Sequence, residues 1–589
     1  MDNQRNLILA VVLSAILLFG WDFAMRTFYP QPEVEPASAA ASVAGSDAPA
    51  VAGPAATDDA DAVSAGELVE VDAAIAATDR VEIDAPEVTG SINLTGARVD
   101  DIELKTHRQT VDRDSGPVHL LQPRGTEGQQ FARFDWVGDG IATPDANTVW
   151  TAPAGSELTQ DTPLRLTWDN GQGLVFNQTM SIDDHYMLTV VQSVTNNGDA
   201  TVALAPRGLI NRTSRNADQS NFNVHAGPIS AHDDAVDFGW DYDDVDEAGG
   251  EVAVEGQVNW VGFTDIYWMS TLIPQEGGAR AYFSPLGNQT YAAVVQYDAV
   301  NVPAGQTVTT TTRLFAGAKE SAVLSAYEDA GVPRFGLAID WGWFRWIARP
   351  MWQVLIWLFG LVGNFGLAII CLTFVVRLLM FPIAQKQFHS MAQMRAVQPK
   401  MKALQERYKD DKAELQQQMA KLYKEEKVNP LAGCLPIFLQ IPIFFALYKV
   451  LRLAIEMRHE PFYGWIHDLS APDPLHVLNL FGLLDFTPPG FLGIGVLAIL
   501  LGFTMWLQFK LNPAAMDPMQ QQVFMIMPWI MMFVMAPFAS GLLLYWITSN
   551  LLTLAQQKYL YSRNPQLRAQ MEKEREEKAR AHAREKAGG

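Results

Sequence analysis

Between Pro350 and Ile383 the chain runs 34 residues with one charged side chain, Arg377. A single bilayer crossing takes about 20 residues. The run is therefore too long for one helix and too apolar for the surface of a soluble domain. It divides into two elements. Trp341–Leu361 carries five tryptophans together with Arg345 and Arg349 and reads as an amphipathic helix lying in the membrane interface. Residues 364–384 then read as a transmembrane helix. Further apolar runs lie at 431–452, 490–508, 522–538 and 541–557, so that residues 431–557 hold four more crossings. Another apolar run, Leu7–Trp21, opens the chain. Asp22, Met25 and Arg26 follow it where a signal peptide would carry a small-residue cleavage site, so residues 1–28 read as an uncleaved signal anchor. The expected total is six spans.

The remaining sequence is of two kinds. Residues 29–66 are rich in Ala, Pro, Ser and Asp with almost no aromatics, and read as a disordered linker. Residues 67–335 carry strand patterns. Leu164, Leu166 and Trp168 alternate, Asn170-Gly171 offers a turn, and Leu174 to Phe176 resumes. Tyr186, Leu188 and Val190 alternate again, and Gln306 to Phe315 is rich in Thr and Val. Many short strands with turn signals predict an all-β sandwich.

Charge orients the whole. The formal net charge is −22, but residues 24–345 hold 17 Lys/Arg against 46 Asp/Glu, a net of −29. Residues 346–589 hold 25 against 17, a net of +8. The 385–429 loop carries 10 Lys/Arg and the 558–589 tail 9, whereas the 453–489 loop carries one, Arg458. Basic loops face the cytoplasm. Both termini are then inside and the acidic β domain outside, which an even number of spans satisfies. The 385–429 loop is helix-prone. Pro399 can start a helix and Lys409-Asp-Asp-Lys412 can break one, giving a cytoplasmic helical hairpin.

Arg377 is the residue with the most to explain. Near mid-bilayer an arginine costs about 2.5–3.5 kcal/mol on insertion scales. Either it snorkels to the headgroups or it faces a wet cavity between helices. Acidic residues in the other late spans occur only at their ends, so in a cavity it would meet water or an anionic guest. Gln440, Gln508, Thr548, Ser549 and Asn550 are further polar residues within apolar runs. Singly each makes a helix–helix hydrogen bond; together with Arg377 they suggest a polar groove. Pro436, Pro442, Pro528 and Pro537 would kink or end helices and help to open it.

Other chemistry is thin. Cys371 and Cys434 lie in apolar runs, which excludes a disulfide framework and a cysteine zinc site. Asp241 to Glu247 lacks the spacing of a calcium loop and reads as an acidic turn. No phosphate loop, HExxH or nucleophile elbow is present, so neither cofactor nor catalytic centre is expected. A solute transporter or channel would call for inverted repeats. An envelope-glycan-binding membrane enzyme would call for paired carboxylates at the membrane surface. The sequence offers neither.

Six stretches carry a family resemblance: Thr373-Phe-Val-Val-Arg377, Met394-Arg-Ala-Val-Gln-Pro-Lys400, Tyr423-Lys-Glu-Glu-Lys-Val-Asn-Pro-Leu-Ala-Gly-Cys434, Trp465-Ile-His-Asp-Leu-Ser470, Asp517-Pro-Met-Gln-Gln521 and Ser540-Gly-Leu-Leu-Leu-Tyr545. In these the chain resembles the YidC-type membrane protein insertases of the Oxa family, in their long Gram-negative form. The resemblance implies a polytopic α-helical protein of the bacterial inner membrane, with a five-helix insertase core and an extracytoplasmic β-super-sandwich in the periplasm. It implies a groove open to cytoplasm and lipid, lined by Arg377 with Thr373, Gln508, Tyr545 and Trp546 beside it. Gln440 joins them on the residue reading above. The implied partners are nascent membrane proteins, the Sec translocon, the lipid bilayer, and the ribosome through the hairpin and the C-terminal tail.

Overall fold

The structure is a computed structural model. It describes residues 68–563 apart from 113, 218–223, 276, 409–410, 427–434, 485, 487, 489–491 and 512–517. The expected anchor, the linker, Cys434 and most of the C-terminal tail lie outside the described residues.

After a short helix α1 (Val71–Ala76), nineteen strands among the described residues make two sheets. The strands that the argument needs are β3 (Arg98–Arg108), β4 (Pro117–Leu121), β5 (Gln130–Val137), β7 (Leu164–Asp169), β8 (Leu174–Ile182), β9 (Met187–Asn196), β14 (Val258–Thr264), β15 (Trp268–Pro274) and β19 (Thr307–Ala318). β3, β4 and β5 belong to an 11-stranded sheet, and the other six to an 8-stranded one. The expected alternation is present. In β8 every second residue from Leu174 to Ile182 is buried. The Asn170 side chain accepts from the Gln172 and Leu174 amides at 2.8 and 3.0 Å, and Gly171 takes φ +68, which closes the β7–β8 hairpin.

The inner faces of the sheets share one apolar core that includes Phe134, Trp136, Phe176, Val190, Leu272 and Leu314. Two glutamines between the sheets bond through their side-chain amide nitrogens, while their side-chain oxygens are buried without a partner among the described residues. Gln178 donates to the Phe134 carbonyl at 2.6 Å and Gln192 to the Asp135 carbonyl at 2.8 Å. The domain is thus a β super-sandwich. The acidic stretch from Asp241 is not a turn, however. It forms helix α2 (Tyr242–Ala248), in which the side chains of Asp241 and Asp244 each accept from the other's backbone amide. That reciprocal cap compensates the helix's first unpaired donors, which a reading by charge alone could not show.

Helix α3 (Ser321–Asp329) and a 3-10 turn (Phe335–Leu337) lead out of the sandwich. Next come α4 (Arg345–Val362), α5 (Phe365–Arg407), α6 (Lys412–Glu425), α7 (Leu435–Leu453), α8 (Val496–Leu511), α9 (Pro518–Met535) and α10 (Ser540–Arg563). The expected break after residue 384 is absent. α5 runs 43 residues from Asn364, which caps it, and carries both Pro382 and Pro399 in its interior. The apolar crossing and the first arm of the hairpin are one helix, and Pro399 starts nothing. α5 and α6 meet as a helical hairpin through Val397, Met401 and Leu422. Pro442 and Pro528 also lie inside helices, whereas Pro537 sits in the turn between α9 and α10. Among the described residues Phe365–Gln387 is long and apolar enough to cross a membrane, and Val496–Lys510 and Met525–Met535 are shorter apolar helices. Leu378, Leu379, Phe438 and Ile530 stand exposed on the bundle, as lipid-facing side chains would.

Sandwich and bundle are pinned together at several points. Lys449 pairs with Asp340 at 2.6 Å. Arg458 donates to the carbonyls of Arg108 and Gln109 at 2.6 and 3.0 Å, with its guanidinium over the rings of Tyr267 and Trp268. Glu456 accepts from the Ser321 amide and hydroxyl at 3.2 and 3.3 Å, and Ser321 accepts from the Trp352 indole at 2.9 Å. Burial raises the Glu456 carboxyl above the usual range, and nearby Glu320 adds to the rise while the bonds from its own amide and Ser321 oppose it. A carboxyl whose folded pKa is raised contributes stability below its unfolded pKa and loses it as pH rises through the folded one. Wild-type protein in detergent should therefore lose thermal stability relative to Glu456→Gln as pH rises from the ordinary glutamate range through the raised folded value. A gap between the two proteins that stays constant with pH would remove Glu456 from this role.

Candidate substrate groove

α5, α7 and α10 bring three polar side chains together from distant parts of the sequence. Arg377 lies three turns into α5 and is half-buried. Its Nε donates to the Ser549 hydroxyl of α10 at 3.0 Å, and one terminal nitrogen donates to the same oxygen. Tyr545 precedes Ser549 by one helical turn, so both hydroxyls fall on one face. The Tyr545 hydroxyl accepts from Gln440 of α7 at 3.0 Å, and its ring is 1 % exposed. A second polar link binds α8 to the same helix. Asn550 donates to Thr504 at 3.1 Å, and both are buried.

The arginine has no carboxylate partner among the described residues. A guanidinium carries five donors, and one neutral hydroxyl takes two of them here. Such a cation is only partly satisfied, in a setting where an ion is costly. It suits water or an anionic guest better than a fixed structural pair.

The other expected positions fare differently. Thr373 is wholly buried and its hydroxyl donates to the Ile369 carbonyl one turn back at 2.7 Å, so it satisfies its own helix. Gln508 is half-buried on α8, one turn beyond Thr504. Trp546 packs on Phe444 of α7, ring centres 5.2 Å apart, and belongs to the apolar packing between α7 and α10. Ser549 stood out in the sequence only as one of three consecutive polar residues. Its four-residue spacing from Tyr545 is the signal that marks it. Thr504 lies the same distance before Gln508 and was missed.

A helical core with an apolar crossing helix and a partly satisfied arginine, joined to a large β super-sandwich, defines a class of membrane protein that carries a β domain. Comparison with known proteins gives the family. The 60Kd inner membrane protein family matches residues 357–567, and the YidC periplasmic domain family matches 80–354. The membrane protein insertase YidC of Zymomonas mobilis subsp. mobilis is 44% identical over 95% of this chain and 96% of its own length. That of Nitrobacter hamburgensis is 43% identical over 96% of each. A crystal structure of an active YidC insertase with its first transmembrane domain resolved aligns at 18% identity over 81% of this chain and 91% of its own, with a TM-score of 0.36. The chain belongs to the YidC family of membrane protein insertases.

Proposed function

We propose that the cluster of Arg377, Ser549, Tyr545 and Gln440 is the polar floor of a groove through which this insertase takes nascent membrane proteins into the bilayer. The observation that carries this reading is the guanidinium held by a single neutral hydroxyl. A substrate's polar tail faces a hydrocarbon barrier about 30 Å thick. A groove reaching partway down from the cytoplasm shortens that barrier and supplies hydrogen bonds. Arg377 attracts acidic residues in the tail. A membrane potential negative inside then favours their outward passage by about 2.3 kcal/mol per charge per 100 mV. The apolar segment of the guest leaves into lipid beside α7 and α9, which completes release without a nucleotide or other cofactor.

On this reading the protein has six spans, with residues 6–25 as the first and both termini in the cytoplasm. The basic hairpin and tail face the cytoplasm as docking points for the ribosome, and the Sec translocon works beside the groove on larger substrates. Thr373 shapes the groove wall by packing, while Gln508 and Trp546 border it from α8 and α10. The test is crosslinking from photoreactive residues at 377, 508 and 546 to stalled nascent chains in native membranes. All three positions should capture a chain whose transmembrane segment has just left the ribosome. Capture from lipid-facing Leu379 alone, and from none of the three, would place the route elsewhere.

A further inference from the structure

The loop between α7 and α8 lies on the acidic, outer side of the bundle in the orientation proposed above, yet its outermost part is not polar. Leu478, Leu480, Phe481, Leu483 and Leu484 all stand exposed, Leu483 at 83%. Residues 474–484 contain no Asp, Glu, Lys or Arg, and residues 459–509 contain no Lys or Arg. Five neighbouring large apolar side chains turned outward form a patch that water does not favour.

The backbone beneath them explains what they face. Val477 donates to the Ile494 carbonyl at 3.0 Å, Leu480 to Val477 at 3.1 Å, Phe481 to His476 at 2.8 Å and Leu484 to Asn479 at 3.0 Å. The Asn479 side chain, 7% exposed at the loop's centre, accepts from the Gly482 amide at 2.9 Å. Leu480, Phe481 and Gly482 take φ values of +51, +59 and +88. Two bulky residues in the left-handed region are outliers. Here they fold the backbone inward on its own hydrogen bonds and throw the side chains outward. The loop rests on Asp473, which accepts from Leu475 and from the Trp465 indole at 3.0 Å and caps α8 through the Leu497 amide at 2.7 Å.

Irregular backbone that faces lipid is not found within the hydrocarbon core. Such a loop therefore enters only the interface, where its backbone stays at headgroup level and its apolar side chains reach the acyl chains. This loop bonds part of its backbone internally and carries its apolar surface where two membrane helices end. We infer that residues 477–484 dip into the outer leaflet and anchor the α7–α8 end of the groove in lipid acyl chains. The inference rests on the proposed orientation only for which leaflet is entered.

The experiment uses the full chain with Cys371→Ser and Cys434→Ser, carrying Leu483→Cys or Leu478→Cys labelled with an environment-sensitive fluorophore. A label at Val149→Cys, exposed on the sandwich, is the control. Protein is reconstituted in phosphatidylcholine–phosphatidylglycerol vesicles that contain spin-labelled lipids. Both loop labels should emit further to the blue than the control, be quenched several-fold more by the spin-labelled lipid and be shielded from aqueous iodide. Loop labels that behave as position 149 does would overturn the inference. So would shielding from iodide without lipid quenching, since a second copy or another protein would then cover the patch. Lipid quenching does not depend on which leaflet is entered, so a wrong orientation would leave this result unchanged.

Discussion

Replacing Arg377 by alanine should lower insertion of a short substrate with an acidic tail by about tenfold to a hundredfold, since a hydrogen bond to a charged group is worth about 1.5–3 kcal/mol. The loss should shrink for the same substrate with a neutral tail. Lysine should retain part of the activity, because charge matters at this site and the fork geometry is not used on a planar partner. Ser549→Ala separates hosting from propping. Its hydroxyl takes two donors of the guanidinium, so its removal frees them for the guest and should lower insertion far less than Arg377→Ala does. A folded Arg377→Ala protein that inserts acidic-tailed substrates as well as wild type would show that the arginine is not the host.

The sequence made the membrane core legible because a helix in lipid must be apolar over its whole length, and Arg377 stood out against that background. Its partner was harder to see. Ser549 lies 172 residues away in sequence, and only the packing of α5 against α10 selects it from the neighbouring polar residues. Thr373 misled for a related reason. A hydroxyl in a membrane helix can satisfy its own backbone one turn back, and a one-dimensional pattern cannot tell that from a groove-facing hydroxyl. The strands were legible from alternation, as β8 shows. The order of the nineteen described strands in two sheets was not, because pairing such as that of β9 with β19 is set by contacts more than 100 residues apart. The continuous α5 went unread because a proline in a helix interior is disfavoured on average, and here both prolines are accommodated. The apolar tip of the α7–α8 loop was hidden within a segment judged by its net charge.

Truncating Trp260 should produce the largest loss of stability in the sandwich. Trp260 lies on β14 with no exposed surface, and its indole donates to the Pro333 carbonyl at 3.0 Å. Its ring meets Phe335 edge-on at 5.6 Å, and Phe335 in turn meets Phe315 of β19 at 5.1 Å. The residue therefore fastens the segment that leaves the sandwich for the bundle onto the sheet that holds the core. A buried Trp→Ala change costs about 3–5 kcal/mol, against a total of about 5–15 kcal/mol for a typical domain. Trp260→Ala should unfold its sandwich at markedly lower denaturant than wild type, followed in the full chain by far-ultraviolet circular dichroism and protease sensitivity of the 321–340 segment. Trp260→Phe keeps the ring contacts and forfeits the indole donor, so its loss should be nearer 1–3 kcal/mol, about the cost of a buried carbonyl left unpaired. Equal losses for the two variants would mean that the hydrogen bond to Pro333, and not the ring packing, holds the exit segment. A loss under about 1 kcal/mol for alanine would be too small for a filled core site and would show that the segment is held by its other contacts.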